Sequence, residues 1–143
     1  MESTFEKSRL NSINTLLRIL YGIVPIAAGL DKFTNLLVNW TIYINPLILK
    51  IIPLSGSSFM HVVGVIEIAA GIIVLFNPRV GAYIVSIWLF CIALTLFASG
   101  HYLDIAIRDI MMSAGAYTLA RISEIVVEWN KADNKVLASQ FNS

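Results

Sequence analysis

The stretch VGAYIVSIWLFCIALTLFA, Val80 to Ala98, decides the fold. It is apolar from end to end and holds no charged residue. About 20 apolar residues cross a hydrocarbon core of ~30 Å as a helix, so this run is a membrane span. Ser99-Gly100 stops it, and Asn77-Pro78 is a turn signal before it. Working outward, Phe59 to Phe76 forms a second such run and Ile13 to Leu30 a third, with Arg18 near its start and Pro25 inside. A proline within a span removes one backbone donor and predicts a kink. Asp104 to about Ile122 is a further span, although it carries Arg108 and Asp109. Each such residue near a bilayer centre costs roughly 2.5–3.5 kcal/mol, less near a helix end or when paired.

Composition agrees with that reading. Hydrophobic residues make up 57% of the 143, charged residues 13%, and mean hydropathy is +0.78. A soluble domain carries about twice that charge fraction. The net charge of +1 offers no basic surplus for nucleic acid. One cysteine, Cys91, excludes an intrachain disulfide and a cysteine-cluster metal site, and reads as a packed thiol. Lys7, Arg9 and Arg18 ahead of an apolar run, with Ala27-Ala28-Gly29 after it, faintly resemble a signal peptide, but three further spans favour an uncleaved first helix.

The fold class expected is an all-α membrane protein: a four-transmembrane-helix bundle with an interfacial helical segment between the first and second spans. Residues 1–12 form an N-terminal segment, 13–123 the membrane domain and 124–143 a tail, polar apart from Ile125, Val126 and Trp129. In the connection, Phe33, Leu36, Leu37, Trp40 and Ile44 recur at helical spacing, and Pro46 and Pro53 punctuate its second half. One or two surface-lying helices are predicted there, with Trp40 and Tyr43 at headgroup depth. Lys7, Arg9, Arg18, Arg79, Arg121, Lys131 and Lys135 share one side, against Lys32, Lys50 and Arg108 on the other. Positive charge stays inside, so both termini are expected in the cytoplasm of a bacterial cell and the protein in its inner membrane.

On that topology nearly every ionisable group near the bilayer falls in the outer half: Asp31, Lys32, His61, Glu67, His101, Tyr102, Asp104, Arg108 and Asp109. Burying charge is expensive, so a shared polar cluster is expected. Met60, Gly64, Glu67 and Gly71 lie on one helical stripe, and glycines leave room for a neighbouring backbone. Glu67 therefore points into a helix interface, where it holds a proton or meets a cation. Arg108 is the expected cation, with Asp104 one turn before it and Asp109 beside it. Such a network either fixes helix register or builds a ligand, proton or quinone site. A bis-histidine haem would need His61 and His101 to face each other. Met111 and Met112 read as packing, and no catalytic motif is present.

The run Leu17-Arg18 through Gly29-Leu30-Asp31-Lys32-Phe33 resembles the first helix of DoxX-like membrane proteins. Gly64-Val65-Ile66-Glu67-Ile68-Ala69-Ala70-Gly71 resembles their second, and Asp104-Ile105-Ala106-Ile107-Arg108-Asp109 running to Leu119-Ala120-Arg121 their fourth. The resemblance covers roughly residues 15–124. It implies a four-helix membrane bundle, in some members tied to thiosulfate oxidation with quinone as acceptor, in others a membrane partner of redox or stress-response proteins. No catalytic residue carries over. The leading expectation is a binding subunit, or a partner of a larger membrane assembly or homo-oligomer, with no cofactor. The rivals are a quinone-binding redox subunit, using Glu67 or Asp109 as proton acceptor near His61 or Tyr102, and a small proton-coupled transporter.

Overall fold

The computed structural model describes residues 2–141; Met1, Asn142 and Ser143, at the far ends of the predicted N-terminal segment and tail, lie outside it. The chain forms α1 (Glu2–Thr34), a 3₁₀ turn (Trp40–Tyr43), α2 (Pro46–Ile51), α3 (Gly56–Phe76), α4 (Pro78–Ser99) and α5 (Leu103–Phe141). No strand occurs among the described residues. Four of these helices, α1, α3, α4 and α5, are long and apolar enough to cross a membrane. Their outward faces carry large apolar side chains such as Ile23, Val65, Ile87 and Ile107, while Asp31, Lys32, Glu67 and Asp109 are buried. Apolar outside and charged inside is the arrangement that lipid requires. This is a multi-pass membrane helix bundle.

Around the bundle α1 packs on α3, α3 on α4, α4 on α5 and α5 back on α1, with α1 and α4 on the diagonal. Ala70, Val74, Ala82, Val85, Ala116, Leu119 and Ala120 form the core. Backbone contact draws α1 against α3: a Cβ added at Gly29 would lie 2.6 Å from the Gly64 carbonyl oxygen, and one at Gly64 would lie 2.7 Å from that of Gly29. Only glycine permits this approach. Between α4 and α5, Ser86 and Ser113 each donate to the other's carbonyl, at 2.9 and 2.7 Å. Tyr21 donates to the Met112 carbonyl at 2.8 Å and Ser123 to Asn14 at 2.6 Å, joining α1 to α5.

The helix ends follow local chemistry. Ser55 caps α3 by accepting from Ser58, and Asn77 caps α4 ahead of Pro78 in its first turn. Gly100, at φ 70°, closes α4 in the left-handed conformation. Two boundaries differ from the sequence reading. The helix of the first span begins before Ile13, since α1 runs unbroken from Glu2 through Pro25, and that of the fourth continues through the tail to Phe141. Glu, Lys, Arg and Ala near the termini are good helix formers, and hydropathy marks the membrane-crossing part of a helix, not its ends. The connection also departs from the predicted helical spacing. Asn35 takes φ 50° and ends α1, so Leu36, Leu37 and Trp40 belong to a folded loop and then the 3₁₀ turn. Two short helical segments, the 3₁₀ turn and α2, do lie between the first two spans.

Candidate functional site

The centre of the site is an ion pair between α1 and α3. Lys32 Nζ lies 2.6 Å from Glu67 Oε2, with both side chains buried. Gly29 faces Gly64 and Gly22 approaches Gly71, a constant antiparallel register that sets Lys32 opposite His61. Glu67 lies six residues further along α3, about 9 Å away. Side chains on a helix lean toward its N-terminus. On α1 that direction runs from the connection end of the bundle into its interior, so Lys32 reaches down. On α3 it runs the opposite way, so Glu67 leans up to meet it.

The same rule corrects the expected partner. Arg108 sits on α5, which starts at the connection end, so its side chain leans outward and is 63% exposed. It lies 3.8 Å from Asp109 and does not pair with Glu67. Asp104 is exposed and makes no ion pair with Arg108 one turn on. Asp109, by contrast, is buried and lies within electrostatic reach of both Lys32 and Glu67.

A cap seals the pair from above. Asp31 accepts backbone N–H bonds from Leu36 at 3.0 Å and Leu37 at 2.9 Å, and the Trp40 indole N–H at 2.7 Å. These bonds fold the loop after Asn35 back over the helix end and hold the Trp40 ring across Lys32, whose Nζ is 3.7 Å from the ring centroid. A cation over an indole face is attracted by about 0.5–2 kcal/mol, more when water is excluded.

The remaining predicted residues surround this centre without joining it. His61 stacks on Phe33 at 4.9 Å between ring centroids. His101 bonds its own turn through the Ser99 carbonyl at 2.8 Å. Tyr102, in the left-handed region at φ 57°, meets Tyr43 edge-on at 4.8 Å. The two histidines thus have separate partners. Among the described residues no three His, Cys, Asp or Glu side chains are grouped to hold a metal.

Below the ion pair lies a cavity of about 330 Å³ between α1 and α4. Leu17, Leu20, Val24, Pro25, Ala28, Ala70, Val85, Leu89 and Met112 make it apolar, and Glu67, Tyr21 and Trp88 supply its polar and aromatic wall. Leu20 and Val24 also stand exposed on the bundle surface, so the cavity reaches the lipid-facing side. The Trp88 indole N–H faces the Glu67 carboxylate as a weak donor, short of full hydrogen-bond geometry. It is the buried side-chain polar atom without a hydrogen-bond partner among the described residues. Sequence reasoning singled out neither Trp88 nor Tyr21 as functional. An indole in the uncharged span, with its N–H to satisfy inside lipid, was the available signal. No family model, curated protein or solved structure matches the chain.

Proposed function

We propose that this protein acts by binding: it holds a small lipophilic molecule, drawn from the bilayer, in the cavity beside Glu67, as a binding subunit or partner of a larger membrane assembly. The cavity carries this reading. At about 330 Å³ it lies at the small end of ligand pockets, is apolar over most of its wall and has one converging polar edge. The asymmetry of Lys and Arg supports a bacterial inner-membrane location with both termini cytoplasmic. Kinship with DoxX-like proteins rests on the order of three apolar, glycine-bearing motifs and accords with a binding role.

The Trp88 N–H, which makes no well-formed hydrogen bond, favours one second reading, a redox subunit that binds quinone. The indole would donate to a quinone carbonyl, with Glu67 as proton acceptor. His61 and Tyr102 are engaged with Phe33 and Tyr43 and do not line the cavity, so neither serves that chemistry. Native mass spectrometry of gently extracted protein, with lipid and quinone analysis of the same sample, tests both. A small lipophilic adduct should accompany the wild type and be lost in Ala28→Phe, which fills the cavity from α1. Adduct-free masses for both, each matching its own polypeptide, would overturn the binding reading. A stoichiometric quinone in the wild type would favour the redox subunit.

A further inference from the structure

The class of molecule that suits the cavity is set by the charges around it. Three carboxylates are buried at this end of the bundle, Asp31, Glu67 and Asp109, against one buried cation, Lys32. Asp31 is satisfied by two backbone N–H groups and the Trp40 indole. Glu67 is paired with Lys32, while Asp109 is answered by Arg108 at 3.8 Å, from a side chain that is mostly exposed, with Lys32 further off. Buried carboxylates thus outnumber buried cations, and Arg108 offsets the difference only from the exposed rim. An excess of negative charge inside a membrane bundle is expensive unless a positive group is brought to it.

The cavity opens beside that excess. Glu67 is the one carboxylate among its lining residues, and no lysine, arginine or histidine lines it. The Tyr21 hydroxyl is turned away to the Met112 carbonyl, leaving its ring and the Trp88 ring as aromatic walls. Aromatic faces attract cations most strongly where water is excluded. The rest of the wall is aliphatic and continuous with the lipid-facing surface at Leu20 and Val24.

We propose that the cavity takes a lipophilic organic monocation, an ammonium- or phosphonium-type head on an apolar body, with its charge beside Glu67 and its body between α1 and α4. The proposal rests on the binding function proposed for the cavity and names its ligand class. The cation enters sideways from the bilayer, and no bond is made or broken.

Equilibrium dialysis of the purified full chain in detergent micelles, with protein-free micelles as blank, tests this. The probes are tetraphenylphosphonium, tetraphenylborate (the same shape with opposite charge) and neutral 1-aminoanthracene. The wild type should bind the phosphonium roughly tenfold or more tightly than the borate, a modest return for a close charge pair out of water. Glu67→Gln should abolish that preference and Lys32→Gln should raise phosphonium affinity several-fold. Opposite movement in two variants of one ion pair does not come from misfolding. Asp109→Asn should lower phosphonium affinity by a smaller factor, and Ala28→Phe should remove binding of every probe. Equal binding of the two ions, or a phosphonium affinity unchanged in Glu67→Gln and Asp109→Asn, overturns the proposal. Aminoanthracene bound in wild type and lost in Ala28→Phe, with no preference for the cation, would leave the cavity a binding site and refute only the ligand class. Binding of no probe would sink both readings.

Discussion

The two ends of the bundle handle charge in opposite ways. At the connection end Lys32 and Glu67 meet in the interior, roofed by Trp40 and walled by glycine contacts. At the end that carries the termini, charges sit on the rim and tidy helix ends. The Arg18 guanidinium donates to the Leu75 carbonyl near the C-terminus of α3. Glu124 gathers the Tyr83 hydroxyl, Arg121 and, more loosely, Arg79. The half-buried Lys7 pairs with the exposed Asp133. Rim charges keep their hydration and need no exact partner. Interior charges lose hydration and depend on specific partners, which makes the connection end both the fragile and the informative half.

Substitutions should separate the two ends by size of effect. Lys32→Met leaves Glu67 buried without its cation and should cost about 3–5 kcal/mol, measured as unfolding in a denaturing-detergent titration. The double variant Lys32→Met with Glu67→Met should regain much of that loss, since an apolar pair of similar volume replaces a buried ion pair at little cost. A single-variant loss under about 1 kcal/mol would mean that the pair is wet. Gly64→Val should come next, at about 1–3 kcal/mol, because its Cβ would press on the Gly29 carbonyl and force α1 and α3 apart. Trp40→Phe should cost less again, as it keeps the ring over Lys32 and gives up the indole bond to Asp31; its clearer signature is faster amide exchange at Leu36 and Leu37. Asp133→Asn should change stability by about 0–1 kcal/mol and less at high salt, as exposed pairs do. Equal losses from the first and last of these would erase the difference between the ends.

The spans were legible because hydropathy over 20 residues is a coarse and strong signal. The Asn77-Pro78 turn was equally plain. Glu67 could be assigned to an interface because Gly64 and Gly71 share its stripe, and both do meet α1. Its partner was not legible. Counting residues places Lys32 at a membrane boundary and Arg108 one turn inside, which favours the arginine. The direction of each helix reverses that order, sending the Lys32 side chain inward and the Arg108 side chain outward. The loop after Thr34 was hidden for a related reason. Its apolar spacing imitates a helix, while the Asp31 carboxylate that folds it back is a tertiary device without a periodic mark. The cavity was invisible, since a void belongs to no residue.

The Lys32–Glu67 pair also bears on how the chain is made. During synthesis α1 reaches the bilayer before α3 exists, and Lys32 is then a charge near a span end with nothing to answer it. Snorkelling toward the near surface makes that stage tolerable. When α3 emerges, after the connection of residues 35–55, it brings a lone carboxylate to its own middle, too deep to reach either surface. Each helix lowers the other's cost of residence in lipid only when they lie together. The first two spans are therefore best inserted as a hairpin, with the folded connection as its hinge, and the order of the genetic message becomes part of the stability of the product.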